Sequence, residues 1–155
     1  MEGNKSRIVW CVLLVCGAAT FLGAHCQVPC GIYDDEARFA MLSEHVTTIE
    51  KAMKEIAALT AQAPVNYNQI VRWVMNKEKH AEEFSEIVSY YFLAQRLVPK
   101  APEDGEARAA YLEQLELCHR LIVTAMKAKQ TVDLGHVLAL RDLLAKLQGS
   151  YFKRK

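Results

Sequence analysis

The sequence predicts an all-α protein, an antiparallel up-and-down four-helix bundle that carries a short hook at its amino-terminal end. Three observations support this. Apolar residues recur at spacings of three and four in four long segments, no segment shows the alternation of a strand, and Pro- or Asn-containing stretches separate the four segments. Of the 155 residues, 52% are hydrophobic, which is enough for one domain with a single core. We therefore expect one bundle over residues 35–155.

The first helix has the clearest pattern. Asp34 and Asp35 can cap its start and complement its dipole. We expect the helix to end near Gln62, because Pro64 disfavours helical geometry in the residue before it. Its apolar stripe, at spacings of 3, 4, 3, 4 and 3, consists of Phe39, Leu42, Val46, Ile49, Met53 and Ile56.

The second helix is predicted from a cap at Asn66 to Asn68 as far as about Leu97. A polar middle, residues 76–83, interrupts its stripe, and the sequence allows either an exposed helical stretch or a subunit contact there. The predicted apolar face consists of Ile70, Val74, Phe84, Ile87 or Val88, and Tyr91.

Two further helices follow the linker at residues 98–102, which contains two prolines. The third is predicted from about Glu103, and the fourth follows a break at residues 131–133 and frays near Gly149. The third helix is expected to bury Leu112, Leu115, Cys118 or His119, Ile122 and Met126, and the fourth to bury Val137, Leu140, Leu144 and Leu147.

Residues 1–24 resemble a secretory signal peptide. Lys5 and Arg7 precede an uncharged run of 15 residues, and Gly23-Ala24 offers a small-residue cleavage site before His25. The run is shorter than the roughly 20 apolar residues of a membrane span. We therefore expect cleavage at Ala24–His25, export to the periplasm or outside the cell, and no stable membrane association afterwards, while an uncleaved anchor is the alternative.

Charge excludes one class of partner. Lys plus Arg number 19 and Asp plus Glu number 18, and no basic stripe or acidic tail occurs. Nucleic acid is therefore not an expected partner.

Residues 25–34, which we call the hook, concentrate metal-ligating groups. Cleavage at Ala24–His25 would give His25 a free α-amine beside its imidazole. Small chelate rings join this amine, the backbone amide nitrogen of Cys26 and the Cys26 thiolate, and Cys30 supplies a second thiolate after a three-residue turn. The set predicts two nitrogens and two sulfurs in a plane, with the His25 imidazole able to reach an axial position.

This set of donors predicts a redox metal. Hard cations prefer oxygen ligands, and planar nitrogen and sulfur ligands suit nickel or copper better than tetrahedral zinc. Pro29 restricts the loop, and Gly31 allows the backbone to turn with φ > 0. Tyr33 is close enough to place its hydroxyl over the open face.

The pattern His-Cys-x-x-Pro-Cys-Gly-x-Tyr-Asp at residues 25–34, followed by a helical bundle, resembles the nickel superoxide dismutase family. The resemblance implies a nickel ion bound by the His25 amine and imidazole, the Cys26 amide and thiolate, and the Cys30 thiolate. It implies disproportionation of superoxide to oxygen and hydrogen peroxide, with nickel alternating between divalent and trivalent states. It also implies that Tyr33 guards substrate access and that the protein is a homohexamer.

The chain departs from that family pattern at two places. Gln27 stands where the family often has Asp, and residues 39–41 lack the glutamate that helps to hold the axial imidazole in the family. Glu44 or His45 is the nearest candidate for that orienting role.

Two alternatives to a nickel enzyme are considered from the residues. One is an exported, non-enzymatic bundle with a Cys26–Cys30 disulfide, and the other is a nickel or copper carrier without turnover.

Other potential ligands lie outside the hook. Glu116 and His119 form a single Glu-x-x-His pair, whereas di-iron bundles need two such pairs. We therefore expect His119 in the core or at an interface, Cys118 as a small buried residue, and His80 and His136 at the surface or an interface.

Overall fold

A computed structural model describes residues 30–153 and contains four long α-helices and no strand within that range. The helices are α1 (Asp35–Thr60), α2 (Tyr67–Glu86), α3 (Glu106–Gln130) and α4 (Gly135–Phe152). A π-helix (Ile87–Arg96) continues α2, and a 3₁₀ turn (Pro102–Asp104) precedes α3. The all-α prediction is confirmed.

The helices form a closed ring in chain order. Each helix packs against the next along the chain, and α4 packs against α1. Because short connections join consecutive helices, neighbours run antiparallel, as in an up-and-down bundle. No helix between residues 30 and 153 is both long enough and apolar enough to cross a membrane.

Side-chain caps begin the first two helices where the sequence predicts them. The amide of Ala37 donates a 2.9 Å hydrogen bond to Asp34, and the amide of Gln69 donates a 3.2 Å bond to Asn66. Each bond satisfies an amide that has no partner within its own helix.

The core lies along the bundle axis and contains the predicted faces of α1 and α4. All six residues of the α1 stripe are buried, and so are the four predicted on α4. These two faces are confirmed because one apolar period dominates each helix.

The predicted face of α3 is partly wrong. Leu112 and Met126 are exposed, while Leu115 and Ile122 pack at the margin of the core. Apolar residues cover a wide arc of α3, so that periodicity alone did not select the side facing the core. The buried residues are Gln114, Leu117, Cys118, Leu121, Ala125 and Ala128.

Two smaller expectations about α2 and α4 are also wrong. Val74 is exposed, because the first half of α2 presents its apolar side to solvent. The helix α4 continues beyond Gly149 as far as Phe152. The reason is aromatic packing, since the buried Tyr151 ring lies 5.6 Å from the centroids of both Phe39 and Phe92.

The π-helix changes which side chains share a face. In an α-helix, residues five apart are about 140° apart around the axis. Hydrogen bonding from i to i+5 widens the turn and brings such residues closer to the same side. Tyr91 and Arg96 are five apart in this segment, and both contact Asp35 of α1.

The first part of the predicted metal site lies outside the described residues. The proposed signal peptide, His25 and Cys26 precede residue 30. Cys30, Gly31 and Tyr33 are described.

Candidate metal centre and its seat on the bundle

The described end of the hook presents a thiol to solvent. Cys30 is exposed and free. Gly31 adopts φ = 74°, and no atom of residues 30–153 lies within 4 Å of the position that a Cβ would occupy there. A side chain would thus be disfavoured by backbone conformation rather than by space, as predicted for the turn.

Tyr33 attaches this turn to the bundle. Its ring packs edge-on against Tyr91, with centroids 5.9 Å apart, and the guanidinium carbon of Arg96 lies 4.3 Å from the ring centre. Tyr33 nevertheless remains 40% exposed. One side of the ring is therefore fixed by packing while another faces solvent.

A buried polar network lies beneath Tyr33. Arg96 donates two hydrogen bonds to the Asp35 carboxylate, at 2.8 and 2.7 Å, and the Tyr91 hydroxyl donates a third at 2.6 Å. Tyr151 interacts electrostatically with both Asp35 and Arg96. We call Asp35, Tyr91, Arg96 and Tyr151 the seat.

The seat's phenols remain protonated at neutral pH. Burial raises the pKa of Tyr91 far above its usual value, and hydrogen bonding to Asp35 adds to the effect. Burial, followed by the same carboxylate, raises the pKa of Tyr151 to about 12. Hydrogen bonding to Asp35 also raises the pKa of Arg96. The seat therefore keeps one carboxylate paired with one guanidinium and two neutral phenols.

Sequence reasoning missed the seat. Asp35 was expected only as a helix cap, and Arg96 was not singled out. The two residues are 61 positions apart, and no local motif joins them. The only local signal was the second Asp of the Asp34-Asp35 pair, which a single cap does not need.

Arg38 places a further positive charge beside the seat. Its guanidinium carbon lies 5.1 Å from the centre of the Tyr91 ring, and Nη1 approaches the Met41 sulfur at 3.4 Å. Its buried Nε atom has no hydrogen-bond partner in the described part of the chain. Arg38 is thus held near the hook by an aromatic face rather than by a carboxylate.

Of the two residues predicted to orient the His25 imidazole, Glu44 and His45, only His45 faces inward. Glu44 is exposed, whereas His45 Nδ1 lies 2.9 Å from His80 Nδ1. Burial lowers the pKa of His45, and His80 lowers it further. His80, expected at the surface or an interface, is half-buried. The role of His45 in orienting the His25 imidazole stays a prediction.

The structure shows where three potential ligands on α3 lie. Cys118 is buried, as expected, and burial raises the pKa of its thiol to about 12. His119 is exposed, which rules out a core position, while the expected alternative of an interface position stays a prediction. Glu116 contacts Arg120 on the same helix at 3.4 Å. The pair Glu116 and His119 therefore remains at the surface of the bundle.

The described residues fit the nickel ion that the donor pattern implies. A soft thiolate donor needs an accessible cysteine and a backbone free to turn around the ion. Cys30 is exposed and Gly31 turns directly after it, whereas the buried Cys118 satisfies neither condition. Of the two described cysteines, Cys30 is therefore the one that suits a metal ligand.

Comparisons with known proteins agree with the fold and the donor pattern. A family model described as nickel-containing superoxide dismutase matches residues 20–155, a range that includes the whole hook. Comparisons with curated proteins and with solved structures each found no match. The chain therefore belongs to the nickel-containing superoxide dismutase family and is an oxidoreductase that acts on superoxide with a nickel cofactor.

Proposed function

We propose that the hook, at residues 25–34, is the active site, with His25, Cys26 and Cys30 as the nickel ligands. The α-amine and imidazole of His25, the amide nitrogen and thiolate of Cys26, and the thiolate of Cys30 form the ligand set. The observation that carries the proposal is the position of Tyr33, which joins an exposed thiol and its turn to the seat. The family match, which spans these residues, supports it.

When bound, nickel would supply one-electron redox chemistry: one superoxide would give up an electron and leave as oxygen, and a second would accept that electron with two protons and leave as hydrogen peroxide. The chain's own residues bind and orient. Cys30 ligates, Gly31 turns the backbone, and Tyr33 presents a half-exposed ring on the side of the hook that packs on the bundle. We assign to Tyr33 the control of substrate access, because Arg96 and Tyr91 hold its ring in place.

The leader is part of this proposal. Removal of residues 1–24 frees the His25 amine, so we infer that processing creates one of the ligands and that the mature protein is exported, periplasmic or extracellular. The leader's apolar run and the small residues Gly23 and Ala24 support this. Amino-terminal sequencing of the mature protein, with nickel analysis of the same sample, tests it. A mature terminus other than His25 in nickel-loaded protein would contradict it.

Inserting a single residue tests the role of the amine independently of the thiols. Adding one alanine before His25 should abolish nickel binding and activity while the circular dichroism of the bundle stays unchanged, because the amine moves out of its chelate ring. An alanine inserted after Gln62, in the exposed connection between α1 and α2, serves as a matched control. Retained activity in the first variant would rule out the amine as a ligand.

No observation favours the two alternatives, a Cys26–Cys30 disulfide in a non-enzymatic bundle and a metal carrier. Thiol titration after metal removal, with and without reductant, tests the first. A superoxide-scavenging assay on the nickel-loaded protein tests the second, since a carrier would show no turnover.

We also propose that the mature protein assembles as a homohexamer and makes no stable contact with a membrane. An exposed apolar stripe on α2 supports assembly, because such patches commonly mark interfaces. Light scattering of wild type and of Val71→Glu tests the assembly, with Leu138→Glu on α4 as the control. We expect a hexamer that dissociates in the first variant. The stripe consists of Tyr67, Val71, Val74 and Met75.

A further inference from the structure

We propose that His45, His80 and Glu83 form a second metal site, separate from the hook, that binds a borderline divalent cation such as Zn²⁺. His45 lies on α1, and His80 and Glu83 lie one turn apart on α2. Each offers one ligand atom, and the three atoms lie within 4.8 Å of one another. We call these residues the His–His–Glu cluster.

The distances fit one ion. The two Nδ1 atoms are 2.9 Å apart, and each is 3.8 Å from Glu83 Oε2. A triangle with these sides has a centre about 2.1 Å from every corner, which is the length of a Zn–N or Zn–O bond. Tetrahedral coordination at this bond length separates ligand atoms by about 3.4 Å, so the two Nδ1 atoms would move apart, and Glu83 Oε2 would move inward, by about half an ångström.

A hydrogen bond between the two histidines accounts for only part of this arrangement. At 2.9 Å, one imidazole donates to the other, but Glu83 Oε2 is too far from both rings for a hydrogen bond. A cation between the three atoms would satisfy all of them together. Two imidazoles and one carboxylate are also a common protein ligand set for zinc that retains an open position.

Burial and charge favour an ion here. The side chains of His45, His80 and Glu83 are 12%, 23% and 37% exposed. Burial lowers the pKa of His45, so this imidazole is neutral at physiological pH, as a metal ligand must be. The negative charge of Glu44 favours positive charge at His45. The positive charge of Lys79 disfavours a cation here, but Lys79 approaches the other carboxylate oxygen, Glu83 Oε1, at 3.6 Å. Glu83 Oε2 therefore stays available to the ion.

A cavity gives access to the cluster. It has a volume of about 380 Å³, and its lining includes His45, Glu83, Glu86 and Arg38. The space accommodates a water molecule as a fourth ligand. Because Tyr91 also lines this cavity and contacts Tyr33, the cluster lies near the hook but shares no described ligand with it.

The test uses mature, nickel-loaded protein. Equilibrium dialysis against Zn²⁺, with nickel and zinc measured on the same samples, should show one zinc per subunit in addition to nickel. His80→Gln and Glu83→Gln should each weaken zinc binding at least about 100-fold, since even second-shell changes cost 10- to 100-fold. His119→Gln, at an exposed histidine on α3, is the matched control and should bind zinc as wild type does. Titration with Co²⁺ gives a visible absorption spectrum that the first two variants should lose.

A third variant separates this inference from the nickel proposal. Cys30→Ser should lose nickel and dismutase activity but keep its zinc. Zinc binding that persists in both His80→Gln and Glu83→Gln, or that disappears only in Cys30→Ser, would overturn the second site and leave the assignment of the hook intact. Absence of zinc binding in the wild type would overturn it as well.

Discussion

The guanidinium of Arg96 lies over the ring of Tyr33, with its central carbon 4.3 Å from the ring centre. The same guanidinium forms two hydrogen bonds with the buried Asp35. One side chain thus links the hook to the core of the bundle. Because a planar guanidinium can stack and donate at the same time, arginine suits this position better than lysine.

Loss of Arg96 should destabilise the whole bundle. Arg96→Ala leaves the Asp35 carboxylate, whose side chain is 4% exposed, without its cation, and we expect a decrease of about 3 kcal/mol in the free energy of unfolding. Urea denaturation at pH 7 measures it. Arg96→Lys, which keeps the charge but not the paired donors, should lose less. A decrease below about 1 kcal/mol in Arg96→Ala would show that the pair is not structurally important.

Tyr33 should matter to activity more than to folding. Because its ring is 40% exposed, Tyr33→Ala should cost the bundle only about 1 kcal/mol. We expect nickel content to be retained and dismutase activity to fall, since access to the hook is no longer controlled. Tyr33→Phe keeps the ring contacts and isolates the hydroxyl. Full activity in Tyr33→Ala would contradict the assigned role.

Arg38 should attract the superoxide anion. Its charge lies beside the seat and contacts an aromatic face and a thioether. Glu83 and Glu86 line the same cavity and offset part of its field, so we expect a modest contribution to steering. Arg38→Gln should lower kcat/KM several-fold at low salt and reduce the dependence of kcat/KM on ionic strength. Arg72→Gln, near the opposite end of the same bundle, is the control. An unchanged salt dependence would exclude Arg38 from steering.

In zinc-free protein, the stability of the bundle should fall as the pH is lowered from about 7.5 to 5. Burial and His80 lower the pKa of His45 in the folded state. The unfolded chain therefore takes up a proton near pH 6.5 while the folded chain resists it, so stability is present above that pH and is lost below it. Glu83 and Glu44 oppose this shift.

Urea denaturation across that range, in wild type and His45→Gln, measures the effect. The variant should lose this component of the pH dependence. Glu50, whose pKa is lowered by hydrogen bonds from Lys54 and Arg141, contributes only at lower pH, and so does not obscure it. An identical pH dependence in both proteins would contradict the prediction.

Lys77 should be a strong stabiliser despite its place in a polar stretch. It is 3% exposed, and its ammonium group donates hydrogen bonds to the carbonyls of Ala128, Lys129 and Thr131 at the end of α3. Lys77→Met keeps the bulk but leaves those carbonyls without a donor, and should cost about 3 kcal/mol. Chemical denaturation checks this, with the exposed Lys127→Met as control. Equal stability of the two variants would show that the hydrogen bonds of Lys77 to the end of α3 do not stabilise the bundle.

The sequence by itself determined the number of helices, the caps at Asp34 and Asn66, and the buried faces of α1 and α4. These features depend on spacing within one segment, which a single chain reveals. It also predicts the hook's ligand pattern, because His25, Cys26 and Cys30 are close together along the chain.

Only the tertiary structure decided which distant residues meet. The Asp35–Arg96 pair and the contact of His45 with His80 join positions 61 and 35 residues apart. They depend on the packing of α1 against α2 and on the π-helix that brings Tyr91 and Arg96 to one side. The buried side of α3 was likewise decided by its neighbours, since apolar residues cover much of that helix. Local periodicity specifies an element, whereas a site built across helices is specified only when the helices pack.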